Sequence, residues 1–133
     1  MSPVDCPCGG GTFARCCGRF LDGGEQPATP EQLMRSRYSA YVLGRAGWLT
    51  ETWHASTRPA SLDLDEGTRW LGLTVKGAGL TSPEWGWVEF IARWRAAGPG
   101  QGAGRAHRLH ERSRFVKDGG RWFYVDGDLF ENG

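Results

Sequence analysis

Every cysteine of this chain falls within twelve residues, Cys6-Pro7-Cys8-Gly9-Gly10-Gly11-Thr12-Phe13-Ala14-Arg15-Cys16-Cys17. Four soft sulfur donors this close together suit a single closed tetrahedral metal site, with thiolates at about 2.3 Å from a zinc ion. Pro7 stiffens the link between Cys6 and Cys8, and three glycines supply the positive-φ turns that fold the chain back towards a metal. Backbone N–H groups in such a turn offset thiolate charge. Cys16 and Cys17 then close the shell, with Phe13 placed to cover it. Two alternatives stay open: a pair of disulfides, or a mixture of buried structural and idle thiols. Adjacent cysteines seldom bond each other, because the geometry strains the intervening peptide. The start, Met-Ser-Pro-Val-Asp, has neither the basic flank nor the apolar run of a secretory leader. A reducing cytoplasm is therefore expected, where clustered cysteines are more often ligands than bridges. Zinc is preferred over iron because nothing suggests redox work.

A chain of 133 residues accommodates one domain with a small appendage. Its net charge of +1 creates no field that would draw nucleic acid or a membrane surface, so neither is expected as a partner. Lys76 and Lys117 are the only lysines, and the other basic side chains are arginines, suited to planar bidentate contacts. No apolar run approaches the ~20 residues needed to span a bilayer.

Residues 1–22 are too few to bury a core and must lean on metal or on the body of the chain. A linker over 22–29 leads to Thr29-Pro30-Glu31-Gln32, which has the form of a capping box with proline at the first helical position. Leu33, Met34, Tyr38, Tyr41 and Val42 then recur at helical spacing as far as Gly44. Arg35 and Arg37 read by default as surface residues of that helix. A second, shorter helix is predicted from Ala46 to about Trp53, and a mixed, acidic connector over 58–67. Beyond Gly67 the period becomes two. Strands are predicted at Trp70–Val75, Trp85–Arg95, His107–Val116 and Arg121–Val125, with a flexible loop over Gly98–Gly104 and a tight turn at Asp118-Gly119-Gly120. Helices followed by an antiparallel meander make an α+β fold, a sheet over N-terminal helices. Along the second strand Val88, Phe90, Ala92 and Trp94 fall on one side and Trp85, Trp87, Glu89, Ile91 and Arg93 on the other. The helices should cover one sheet face, because Trp87, Phe90, Trp94 and Phe115 cannot all sit in water.

The cysteine stretch resembles the SEC-C zinc motif at the C-terminus of the SecA translocation ATPase. Three further stretches, TPEQLMRSRYSAY (29–41), WLTETWH (48–54) and HERSRF (110–115), followed by Trp122-Phe123-Tyr124-Val125-Asp126-Gly127, are similar to the YchJ family of bacterial proteins over essentially the whole chain. That resemblance implies a SEC-C-like zinc knuckle over 1–22 and a nuclear-transport-factor-2-like domain over 29–128, a curved antiparallel sheet wrapped over helices around a conical cavity. It also implies the ligand set Cys6, Cys8, Cys16 and Cys17, although the SecA motif typically ends in Cys-His where this chain has Cys16-Cys17.

The alternation of the third strand puts Leu109, Glu111, Ser113 and Phe115 on one face and Arg108, His110, Arg112 and Arg114 on the other. A carboxylate on the inner face must be paired, protonated or wet. Glu111 thus reads either as a buried ion pair with Arg35 or Arg37, or as a general base. His54, just past a helix end, reads as a partner for terminal carbonyls or as an acid–base group. Two functions follow. One is a binding module that docks on a protein or ribosomal partner through the knuckle, since SEC-C motifs of SecA relatives are associated with the SecB chaperone and with ribosomes. The other is a small-molecule isomerase, dehydratase or hydrolase, with Tyr38, His54 and Glu111 as acid–base candidates and Arg37 positioning an anion in the cavity.

Overall fold

The computed structural model describes residues 4–62, 64, 67–96 and 106–130. The elements run in the order α1 (Gly18–Leu21), α2 (Pro30–Leu43), α3 (Ala46–Glu51), β1 (Thr68–Ser82), β2 (Trp85–Ala96), β3 (Ala106–Asp118) and β4 (Arg121–Leu129), preceded by a 3-10 turn at Phe13–Arg15. The strands form one antiparallel sheet in sequence order, curved over the helices, so the α+β expectation holds. The loop predicted at Gly98–Gly104 lies outside the described residues.

Helix α2 is the centre of the molecule. Thr29 caps it, its Oγ1 accepting from the Gln32 N–H at 3.1 Å. Gln32 Oε1 reaches back to the Ala28 N–H at 2.7 Å, one residue earlier than a standard capping box. Gly44, at φ 74°, ends the helix in a left-handed turn, with the Arg45 N–H bonded to the Ala40 carbonyl at 2.8 Å. A one-sided stripe would have left Ser36, Arg37 and Ser39 in water, yet all three are buried beside Leu33, Met34, Tyr38 and Ala40. Three layers contact this helix: the sheet, α3, and the cysteine-bearing N-terminus. The Trp48 indole N–H donates to Ser36 Oγ at 2.9 Å, which joins α3 to α2 without leaving the hydroxyl unpaired.

Two strands outrun their predicted ends. β1 continues through Lys76-Gly77-Ala78-Gly79, a stretch whose glycines carry no strand signal, and its pairing with β2 shifts register three times. Each bulge breaks the two-residue period that sequence reading depends on. The Trp87 ring lies against Gly77 and Gly79 and supplies the packing those residues lack. Trp87 therefore sits on the outer face, away from the helices, with the Arg112 guanidinium 4.2 Å from its ring. The alternation predicted for β2 puts it there, opposite the buried Val88, Phe90 and Ala92. β4 runs on to Leu129, where Asp126 and Asp128 both pair with Arg114.

Candidate functional site

Two constellations lie on opposite sides of α2. The first is the cysteine cluster. The Val4–Thr12 segment doubles back on itself: the Cys6 N–H bonds the Gly11 carbonyl at 2.7 Å and the Gly9 N–H bonds the Cys6 carbonyl at 3.0 Å. Gly9 and Gly11 hold φ values of 85° and 130°, which a side chain would resist. A Cβ at Gly10 would press on the cluster, falling 3.0 Å from the Cys16 sulfur and 3.3 Å from that of Cys8. The result brings the four Sγ atoms within 4.8 Å of one another, three of the cysteines being buried.

All four cysteines are free. The 3.5 Å between the Cys8 and Cys16 sulfurs is far beyond a disulfide bond and close to the edge of about 3.8 Å that four thiolates make around a tetrahedral ion. The protein's own groups favour Cys8 as the thiolate over Cys16 and Cys17. A hydrogen bond from Cys17, aided by Cys16 and Arg35, draws Cys8 down to about 4. Burial and the neighbouring Cys8 push Cys16 up to about 11, and sharing with Cys8 pushes Cys17 up as well. A divalent cation at the centre is what would let all four ionise together. The donor set, spacing and burial therefore fit a closed metal site.

Helix α2 supplies a second layer that sequence reading did not identify. Arg35 donates from Nη1 to the Cys8 carbonyl at 3.0 Å while its Nε holds Glu31 at 3.0 Å. Ser39 Oγ lies 3.5 Å from the Cys6 sulfur. Their four-residue spacing, which puts both on one helix face, was the available signal. Arg35 thus belongs to the cysteine site and is not a partner of Glu111.

The second constellation is a cavity of about 260 Å³ between α2 and the inner sheet face. Arg37, Tyr38 and Glu111 line it; His54 does not. His54 lies outside, with Nδ1 2.7 Å from Ser56 Oγ and Nε2 2.9 Å from Asp118 Oδ2. Register explains how Glu111 arrives, since it is opposite Phe90 on β2 while its neighbour Ser113 is opposite Val88. Between β3 and β4 a bulge falls just after Arg114, so that Phe115 pairs with Tyr124 and Ser113 with Gly127. That extra residue puts Tyr124 and Gly127 on the same inner face. The segment after α3 then pairs with β4: Tyr124 N–H donates to the Thr52 carbonyl and His54 N–H to the Tyr124 carbonyl, both at 2.8 Å, which carries Trp53 into the wall.

The comparisons add the wider context. Residues 29–127 match the family model described as YchJ, middle NTF2-like domain. The chain belongs to the YchJ family. A UPF0225 protein of Cupriavidus metallidurans is 54% identical over 97% of this chain and 92% of its own, and one of Methylibium petroleiphilum is 54% identical over 96% and 90%. Among solved structures, a SEC-C motif containing protein from Rhodopseudomonas palustris superposes with a TM-score of 0.82 at 38% identity, over 96% of this chain and all of that one. A second, from Psychrobacter arcticus, gives 0.71 at 25% identity over all of this chain and 77% of its own. A YchJ chain with a SEC-C motif thus accounts for both the cone and the cysteine cluster.

Within the YchJ cavity, Arg37 is the unexpected resident. Only 6% exposed, it donates from Nη1 to the Leu49 carbonyl at 2.9 Å and to Thr52 Oγ1 at 2.7 Å. Its guanidinium rests 4.5 Å from the Tyr124 ring and 5.1 Å from that of Trp53. Burial lowers its pKa to about 10, which still leaves it a cation at neutral pH. Glu111 forms no ion pair with it; its Oε2 accepts instead from Ser113 Oγ at 2.5 Å and from the Tyr124 hydroxyl at 3.4 Å. Burial raises the Tyr38 and Tyr124 phenols, with Glu111 adding to the effect at Tyr124, so both act as neutral hydroxyls. Gly127 makes room for the carboxylate, since a Cβ there would overlap Glu111. Tyr124, Trp53 and Gly127 were legible only as parts of a family motif, without a role.

Proposed function

We propose that this YchJ chain is a zinc-binding docking module whose knuckle engages a protein or ribosomal partner. The supporting observation is a closed shell of four sulfurs beside an outward apolar groove. Four thiolates around one zinc ion leave no coordination position for water, so the ion would be structural rather than catalytic. On the outer side, Val4, Thr12, Phe13, Ala14 and Arg15 line a shallow groove, and Val4 is 73% exposed. Arg35 and Ser39 brace the inner side against α2, so the groove is presented on a fixed platform. Rigid apolar surface with a basic rim is what a protein or ribonucleoprotein contact uses.

The test substitutes the groove and spares the cysteines. Val4→Asp should retain bound metal and the wild-type melting curve, yet lose co-sedimentation with purified bacterial ribosomes and lose cross-links from a photoreactive residue at Ala14. Equal recovery of the same cross-linked partners from wild type and Val4→Asp would end the docking role.

A further inference from the structure

The cavity carries an unmatched pair of charges. Arg37 spends Nη1 on Leu49 and Thr52, and its Nε and Nη2 make no hydrogen bond among the described residues. These atoms are not sealed either, unlike Trp53 Nε1 and Arg95 Nε, which are buried without a partner. The side chain is almost wholly buried and lines the cavity, the nearest space that a partner for these atoms could enter. Nε and Nη2 form the side-on edge of a guanidinium, the fork that takes a carboxylate through two parallel bonds. Glu111 repeats the pattern with opposite sign. Both hydroxyl donors act on Oε2, which leaves Oε1 without a bond among the described residues. The two charges flank one ring: Tyr124 offers its face to Arg37 and its hydroxyl to Glu111.

A ligand carrying only an anion would satisfy Arg37 and crowd Glu111; a ligand carrying only a cation would do the reverse. Either leaves one charge uncompensated in a poorly solvated place, which is costly. A molecule bearing both charges a few bonds apart satisfies each end. The remaining wall is apolar and aromatic, with Tyr38, Trp70, Phe90 and Phe115 facing the space. Its volume of about 260 Å³ is at the small end for ligand pockets, which suits a metabolite and not a nucleotide cofactor.

We propose that this cavity binds a free α-amino acid with an apolar or aromatic side chain, its carboxylate on the Nε/Nη2 edge of Arg37 and its ammonium at Glu111. The side chain occupies the aromatic end, where edge and face contacts add to burial. This site is separate from the docking groove on the knuckle, and neither reading depends on the other.

The experiment uses the full chain with its metal retained and titrates L-phenylalanine, L-leucine and L-tryptophan by calorimetry. Indole N–H shifts of the tryptophans are followed in parallel. At least one amino acid should saturate at or below about 1 mM, a common affinity range for metabolite sites, with shifts concentrated at Trp53 and Trp70. 3-Phenylpropionate and phenethylamine, which each lack one charge, should bind at least tenfold more weakly than L-phenylalanine, as should L-phenylalanine to the isosteric Glu111→Gln, about the loss of one charged hydrogen bond. Gly127→Ala, which places a methyl where the Glu111 carboxylate rests, should weaken binding similarly while the knuckle keeps its metal. Absence of saturation by all three amino acids overturns the proposal. So does 3-phenylpropionate or phenethylamine binding as tightly as L-phenylalanine, or Glu111→Gln binding as tightly as wild type.

Discussion

The knuckle and the cavity lie on opposite sides of one helix and are built in opposite ways. The knuckle takes all four donors from one short run of chain, and turns at Gly9 and Gly11 bring the sulfurs together. The cavity gathers Arg37, Trp53, Glu111 and Tyr124 from a helix, a loop and two strands. One site is set by covalent proximity, with its sulfurs placed to hold a metal ion; the other exists only once the sheet has curved over α2. The two share a single support, since α2 offers Arg35 and Ser39 to the sulfurs while Arg37 and Tyr38 reach the cavity.

If the knuckle holds the ion its four sulfurs suit, removing that metal should have the largest effect of all. A structural ion held at about a thousandfold excess over its dissociation constant contributes about 4 kcal/mol. Chelation, or Cys8→Ser, should therefore lower the melting temperature steeply and abolish stoichiometric metal in elemental analysis. An unchanged melting curve in chelator would show that the knuckle does not depend on metal. Cavity substitutions should behave differently. Burial lowers the Arg37 pKa to about 10, so its charge costs stability instead of supplying it. Arg37→Met keeps the stem against Trp53 and Tyr124, and denaturant unfolding should place it within about 1 kcal/mol of wild type, or above it. A loss beyond about 3 kcal/mol would make Arg37 a structural residue and remove the contrast.

The smallest effect belongs to the outer face, where Arg114 holds Asp126 and Asp128 in water. Arg114 draws the Asp128 pKa below its ordinary value of 3.8. With the folded pKa depressed, its contribution is present above 3.8 and disappears as pH falls through the lowered value. Asp128→Asn should thus differ from wild type in melting temperature near neutral pH, and the two should converge in strong acid and in high salt. A difference that persists in molar salt would point to packing at β4 instead of charge.

Much of this was readable beforehand where the cause is local. The Thr29 cap, the Gly44 stop, the turn at Gly119-Gly120 and the four-sulfur cluster each depend on neighbours a few residues away. The inner face of β3 was also legible, because alternation survives from Leu109 to Phe115. Reading failed where the period broke. The glycines of β1 carry no strand signal, so the predicted strand stops at Val75 where the real one runs on to Ser82. The bulge after Arg114 moved Gly127 to the inner side, which simple alternation from Tyr124 also allows only by skipping a residue. His54 reads from its position after α3 as a partner for helix-end carbonyls or as an acid–base group, but the pairing of residues 52–54 with β4 sends Trp53 to the cavity and leaves the His54 ring with Ser56 and Asp118.

What this sequence determined unaided was the pattern of short-range constraints: a sulfur cluster that wants a cation, a capped helix, and strands of one alternating period. Which charges are buried was decided by the tertiary structure alone. Arg37 and Arg35 are two residues apart on one helix, and nothing local distinguishes them. One meets a sheet and the other meets a knuckle, and desolvation depends on what arrives from elsewhere in the chain.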